Sequence, residues 1–241
     1  MSYFTSQAVS YKDFRPKYPT ELFDWLRSIA VGDTAWDVGC GSRQASAALT
    51  RVFSKVIATD TSQPQLDQAP AIANIDYRCE SASQSTITPS SIGLTLVAQA
   101  LHWFDLEAFY SEVKRVSRPG APLVALTYNL LSIEGLDEII GHLYHDRLGP
   151  YWPAERRHVE NGYRDLNFPF KRIESPAFAM HAQWTFEHLV GYLRSWSALV
   201  LYERETSMDA LSGIHDHLEK AWGDPTSVKD VRWPLSILAG R

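Results

Sequence analysis

The stretch "WDVGCGSRQAS", residues 36–46, leads out of a short apolar segment and into a helical one through a turn of small residues. "TAWDVG" (34–39) reads as a buried strand, because a brief apolar run ends there in glycine. "QASAALTRVF" (44–53) then places Ala45, Ala48, Leu49 and Val52 on one face of a helix. Glycines in such a turn let backbone approach a ligand, and the first amides of the following helix favour an anion. A dinucleotide fingerprint needs a third glycine at position 44, and the chain has Gln44. The pattern present is Asp37-x-Gly39-x-Gly41, and the next apolar run, "KVIATD", ends in Asp60. A carboxylate at that strand end is placed to accept hydrogen bonds from both hydroxyls of a ribose.

Outward from this turn the text alternates. "PTELFDWLRSIA" carries Leu22, Trp25, Leu26 and Ile29 at helical spacing, with Thr20 as the expected N-cap. After "KVIATD" come a short helix "QPQLDQAP", a strand "IDYRC", the apolar strand "IGLTLVAQA", the striped helix "DLEAFYSEVKRVS" and the strand "APLVALTYN". Near-continuous apolar strands alternating with helices predict a parallel sheet covered on both faces, with a ligand crevice at the carboxyl ends of its strands. The expected fold is α/β: a doubly wound, Rossmann-like sheet of seven mostly parallel strands, closed by a C-terminal antiparallel pair. That pair is drawn from "FKRIESPAFAM" (170–180) and "VRWPLSILAG" (231–240), with helices over 186–202 and 208–222 between them. Met208, Leu211, Ile214, Leu218 and Trp222 form a stripe expected in the core. Residues 131–169, rich in aromatic and basic side chains, read as a helical cap inserted in one domain spanning 1–241, and residues 1–18 as a lid.

The composition excludes several classes. The 241 residues are 45% apolar and 21% charged, and the net charge of −5 with scattered basic residues shows no footprint for nucleic acid. No run approaches the roughly 18 apolar residues of a membrane span, and "MSYFTSQAVSYKDFRP" lacks the apolar middle of a signal peptide. Two cysteines, Cys40 and Cys79, cannot make a disulfide framework. A cytoplasmic protein with reduced thiols, no membrane and no nucleic-acid partner is expected.

The strings "YKDFRPKYP" (11–19), "WDVGCGSRQAS", "VIATDTSQPQLDQA" (56–69), "AQALHWFD" (98–105), "RVSRPGAPLVAL" (115–126) and "VRWPLSILAGR" at the end together resemble a class I S-adenosylmethionine-dependent methyltransferase. "AQALHWFD" with "FRPKYP" is similar to the small-molecule group that includes trans-aconitate methyltransferases. The resemblance implies S-adenosyl-L-methionine as cofactor. It also implies that Asp37, Gly39, Cys40 and Gly41 form the turn beside the methionine part, that Asp60 holds the ribose, and that Thr61 or Ser62 continues that edge. Ala82 and Ser83 then lie near the adenine amino group, and Gln99, Tyr11 and Arg15 complete the cofactor side. Two departures stand out. The family tends to have Asp where this chain has Gly93, and glycine where it has Arg43. Arg43 reads either as a solvated side chain in the first helical turn, opposing the macrodipole by roughly 0.3–1 kcal/mol, or as a cation paired with the cofactor carboxylate or with Asp37. It is expected to need no left-handed backbone and to leave binding intact.

The acceptor side is expected at the ends of the fourth and fifth strands. His102 and Tyr128 are the catalytic candidates, and Tyr18, Trp103, Asn129 and Arg156 the substrate candidates. Trp103 and Phe104 fit aromatic packing under a lid equally well. His102 is the one expected to face the site, because a polar ring at an apolar strand's end needs a partner. His142 and His145 beside Asp146, and "HDH" (215–217), have spacing a metal could use. No third ligand is fixed, and no metal is expected. Methyl transfer to a small organic acceptor, most of all to a carboxylate oxygen, is the expected reaction. A cofactor-binding protein without transfer activity, marked by Arg43, and a nicotinamide dehydrogenase, disfavoured by Gln44, are the alternatives.

Overall fold

The computed structural model describes residues 16–41, 43–69 and 71–241. Tyr11, Arg15 and most of the expected lid lie outside these. The chain divides into two compact units. One comprises Tyr18–Asn129, Arg157–Phe178 and Leu235–Arg241; the other holds Leu130–Arg156 and Ala179–Pro234. The segment expected as a cap therefore falls partly in each, with its division at Arg156.

The elements of the first unit are α1 (Thr20–Ile29), β1 (Thr34–Val38), α2 (Gln44–Leu49), β2 (Lys55–Asp60), α3 (Gln63–Leu66), β3 (Ile75–Cys79), β4 (Leu94–Ala98), α4 (Leu106–Val116) and β5 (Leu123–Tyr128). Later come α5 (Asp137–His142), α6 (Arg156–Glu160), β6 (Ala179–Trp184), α7 (Phe186–Arg194), α8 (Ser197–Thr206), α9 (His215–Trp222) and β7 (Lys229–Gly240). Seven strands run in the order β3-β2-β1-β4-β5-β7-β6. β1 to β5 pair in parallel, and β7 is antiparallel to β5 and to β6. This is the expected mostly parallel sheet with its antiparallel pair.

The period-2 alternation of the strands explains the two-sided core. Ala35, Val56, Leu94, Leu96, Val124 and Leu126 pack with Leu22, Phe23 and Leu26 of α1 and Ala45 and Leu49 of α2. Trp36, Ile57, Val97, Leu123 and Ala125 pack with Phe109, Val113 and Val116 of α4. Each of these large apolar side chains contributes about 1.5–3 kcal/mol when fully buried. Trp36 also gives its indole N–H to Thr59 Oγ1 at 3.0 Å, so the ring's one polar group is satisfied where β1 meets β2. α4 is capped by Asp105, whose carboxylate accepts from the Ala108 amide at 3.2 Å, and it carries Lys114 and Arg115 in its last turn.

Several local expectations are corrected. Pro19 takes the N-cap of α1 and Thr20 is its first helical residue. The strand placed at 170–180 begins only at Ala179. Residues 171–173 make two amide bonds beside β7, from Lys171 to the Arg241 carbonyl and from Ile173 to that of Ala239. Pro176, which has no N–H to give a ladder, precedes the regular strand. The helix at 186–202 breaks into α7 and α8 at Ser195–Trp196, and the one at 208–222 starts only at His215. Met208 is 56% exposed, outside the core, whereas Leu211, Leu218 and Trp222 are buried. Gly93 stands where it does for a steric reason: a Cβ there would meet the Val31 carbonyl oxygen at 2.3 Å. The amide of Gly93 donates to Thr34 and its carbonyl accepts from Val31, which brings the two backbones together.

The loop between β3 and β4 is tied to α4 by a carboxylate. Glu112 accepts from the amide and hydroxyl of Ser85 at 2.9 and 2.6 Å and from Arg115 at 2.6 and 2.7 Å. Its side chain is 8% exposed, and the Arg115 and Ser85 bonds hold its pKa down at about 2, below the usual 4.5. The stability it supplies is complete above the unfolded value and is lost as pH falls toward the folded one. Glu112→Gln should therefore lower stability at neutral pH by about 1–3 kcal/mol. In urea melts, the gap to the natural protein should narrow steadily below pH 4.5.

Candidate active site

The turn after β1 is built on two left-handed glycines, Gly39 at φ +67° and Gly41 at φ +44°. A Cβ on Gly39 would lie 2.7 Å from Ala100 Cβ and 3.2 Å from the Phe104 ring, so the turn lies flat against the segment after β4. The amides of Gly39 and Cys40 both donate to the Thr59 carbonyl, at 2.8 and 3.0 Å. Asp60 closes the arrangement from the end of β2. Its Oδ2 accepts from the Gly41 amide and its Oδ1 from the Ser62 amide, each at 2.9 Å. Each oxygen keeps lone-pair capacity for a further donor, which is what a ribose diol requires. Cys40 is buried, and burial with nearby Asp37 and Asp60 pushes its thiol pKa up, so it is an unreactive packing residue.

Beneath the turn, Asp37 is fully buried. The Ser46 hydroxyl donates to its Oδ2, while Oδ1 is buried without a partner. Burial first, and the neighbouring Asp60 charge further, raise its pKa to about 6; the Ser46 bond opposes that rise. An orphaned, buried carboxylate oxygen next to a ribose-type cradle fits a cofactor that carries a cation at one end and a nucleoside at the other. Ser46 escaped the sequence reading because it sits among alanines on a core-facing helix.

Arg43 differs from expectation on two counts. It is the residue before α2, not within its first turn, and its backbone is left-handed at φ +63°. It is also buried, at 5% exposure. Its Nη1 donates to the Gln65 carbonyl of α3, while Nε is buried without a partner. The side chain thus ties the glycine turn to the segment following Asp60. The charged head is engaged by a carbonyl oxygen 22 residues on.

The ends of β4 and β5 are joined by Gln99. It too is left-handed (φ +59°). Its amide nitrogen donates to the Tyr128 carbonyl at 3.0 Å, and its Oε1 accepts from the Thr127 hydroxyl at 2.7 Å. Asn129 follows, with Oδ1 buried and unpartnered. Tyr128 is buried and packs edge-on against Tyr18 at 6.5 Å. His102 and Trp103 occupy a 3₁₀ turn (Leu101–Trp103), and Trp103 is 50% exposed. Nδ1 of His102 lies 2.9 Å from the hydroxyl of Tyr163. Tyr163 was not singled out from sequence; the Asn161-Gly162 pair before it was the available turn signal.

The remaining candidates are more dispersed. Thr61 is exposed, and its carbonyl faces the Cys79 thiol. Ser83 is partly exposed and exchanges a 3.0 Å hydrogen bond with Ser81, beside Ala82. Arg156 belongs to the second unit. There its Nε donates to the Tyr144 hydroxyl at 2.7 Å and its guanidinium lies 5.0 Å from the Trp152 ring centre. His142 pairs with Asp146 on an exposed face. His215, Asp216 and Glu219 bring one possible ligand atom each within 4.8 Å of one another, two of the three residues exposed.

Comparison with known proteins agrees with the fold. Residues 36–125 match the methyltransferase domain family. A Dictyostelium discoideum protein that bears a methyltransferase name is 32% identical over 248 residues, spanning 99% of this chain and 94% of its own length. A Mycobacterium tuberculosis protein named as an uncharacterized methyltransferase is 31% identical over 169 residues, 65% of this chain and 69% of its own. A solved Anaeromyxobacter dehalogenans structure named for a type II methyltransferase superposes with a TM-score of 0.90 at 41% identity, covering 94% and 97% of the two chains. The chain belongs to the S-adenosylmethionine-dependent methyltransferases. Its cofactor is S-adenosyl-L-methionine. Among the described residues no helix is long and apolar enough to cross a membrane.

Asp37 should trade stability against binding. Its folded pKa of about 6 lies above the unfolded 3.8, so the free protein takes up protons on folding and gains stability as pH falls through that window. Asp37→Asn should stabilise the free protein at neutral pH by up to about 3 kcal/mol and flatten that pH dependence. Cofactor affinity by calorimetry should fall in the same variant, and in the natural protein it should fall as pH drops through about 6.

The strain at Arg43 has its own signature. Arg43→Ala and Arg43→Gly both lose the Gln65 bond, but only alanine keeps a side chain at φ +63°. The glycine variant should be the more stable of the two by about 1 kcal/mol in chemical denaturation.

Proposed function

We propose that this enzyme transfers the methyl group of S-adenosylmethionine to a carboxylate oxygen of a small organic acid, giving a methyl ester. The observation that carries this reading is the chemistry of the two strand-end turns. Residues 99–104 and Asn129 present Gln99, His102 and Asn129 as hydrogen-bonding groups and contain no carboxylate. Asp105, next in line, is engaged as the cap of α4. A hydroxyl or ammonium acceptor must lose a proton to a base, whereas a carboxylate needs none. The cofactor supplies an electrophilic methyl; the acceptor oxygen forms the C–O bond as the C–S bond breaks, the electron pair stays on sulfur, and no proton moves. The protein's task is positioning and exclusion of water. The likeness of "FRPKYP" and "AQALHWFD" to the trans-aconitate methyltransferase group supports a small acid as acceptor.

In this reading Asp60 holds the ribose, and the turn through Gly39 and Gly41 receives the methionine part, with Asp37 Oδ1 toward its ammonium. Arg43 supports that turn from beneath. His102 donates a hydrogen bond to the acceptor, Asn129 offers a second polar contact, and Trp103 and Tyr18 supply aromatic surface. Two free thiols, Cys40 and Cys79, accord with a cytosolic setting. Small acids, alcohols and amines should be screened with radiolabelled cofactor. Label should appear in products of the acids and be released as methanol by mild alkali, as esters are and ethers or methylamines are not. Alkali-stable product from an alcohol or amine would overturn the carboxylate assignment.

A further inference from the structure

We propose that Tyr163 is a positioning residue for His102: its hydroxyl donates to Nδ1, keeps the imidazole neutral and directs Nε2–H to the acceptor carboxylate. The proposal rests on the role given to His102 above. Tyr163 is fully buried, although it stands 61 residues from its partner in a loop that follows α6. Its backbone is left-handed at φ +63°, which an aromatic residue adopts only under constraint. The constraint is visible: the amides of Gly162 and Tyr163 donate back to Val159 and His158 at 2.9 and 2.8 Å. His158 and Asp165 then close the loop with a 2.8 Å pair. So wound, the loop brings the hydroxyl to 2.9 Å from Nδ1.

A buried hydroxyl proton needs an acceptor. An unprotonated Nδ1 supplies one, and a hydrogen bond to the neutral ring disfavours its protonated form. Neutrality suits the reaction. Sulfonium and carboxylate charges cancel as the methyl moves, so a full imidazolium beside the carboxylate would stabilise the ground state more than the transition state. A neutral N–H orients the acceptor with a smaller penalty of that kind. The groups set against the ring include the Tyr163 hydroxyl and the indole of Trp103, 4.7 Å between ring centres.

Tyr163→Phe removes only the hydroxyl. Titration of the His102 ring by NMR in the intact protein should show its pKa rising by about 0.5 unit or more in this variant, with the fold retained. No rise, or a fall, overturns the proposal, the fall meaning that the ring donates to the tyrosine. In transfer to the acid found by the screen, Tyr163→Phe should lower kcat/KM about tenfold while cofactor affinity holds, and should cost nothing further in a His102→Ala background. An equal loss in both backgrounds marks a merely structural tyrosine and overturns the proposal. Full transfer by His102→Ala overturns the role of His102 and this proposal with it. The NMR titration, which needs no acceptor, separates that failure from a failure of the hydrogen bond itself.

Discussion

The carboxylate of Asp60 accepts the Gly41 amide on one oxygen and the Ser62 amide on the other, and the candidate site is arranged around it. The glycine turn follows β1 and Asp60 ends β2, so the contact exists only because those strands pair in parallel, with Val38 opposite Thr59. That register is held from below by Trp36, which fills one face of the sheet and gives its indole N–H to Thr59. The same Thr59 carbonyl receives the amides of Gly39 and Cys40. A slip of one residue would turn every core side chain to the wrong face and carry Asp60 away from the turn.

Holding Asp60 there has an electrostatic consequence. Asp37 is buried close enough for the Asp60 charge to raise its pKa, and two carboxylates in a desolvated turn repel. The protein's own offsets are limited: the Ser46 hydroxyl, the backbone amides and the buried Arg43, whose charge acts on Cys40 together with both acids. A cation bound beside Asp37 would supply the missing compensation, the form a trade between free-protein stability and binding takes.

Strain is distributed in the same region. Of the five non-glycine residues with positive φ among those described, Arg43, Gln99 and Tyr163 belong to the turn after β1, the end of β4 and the loop that reaches His102. Each delivers a side-chain hydrogen bond across the chain: Arg43 to Gln65, Gln99 to Tyr128, Tyr163 to His102. Such conformations persist where the surroundings over-determine them.

Much of the architecture was legible in the residues. Short apolar runs marked β1, β2, β4 and β5, the first two ending in Gly39 and Asp60, because strands buried on both faces leave no room for polar alternation. Asp37-x-Gly39-x-Gly41 with Asp60 marked the turn after β1 that Asp60 closes, since spacing to a strand end is a local property of the chain. The weaker readings came from the last third, where Pro176, the break at Ser195–Trp196 and the late start of α9 override helical or strand patterning. Only the tertiary structure decided that Arg43 is buried and left-handed, that Gly93 is required by the Val31 carbonyl, and that Tyr163 meets His102. These depend on which distant segment lies opposite. Periodicity and propensity describe neighbours along the chain, and they hold no information about a partner 61 residues away.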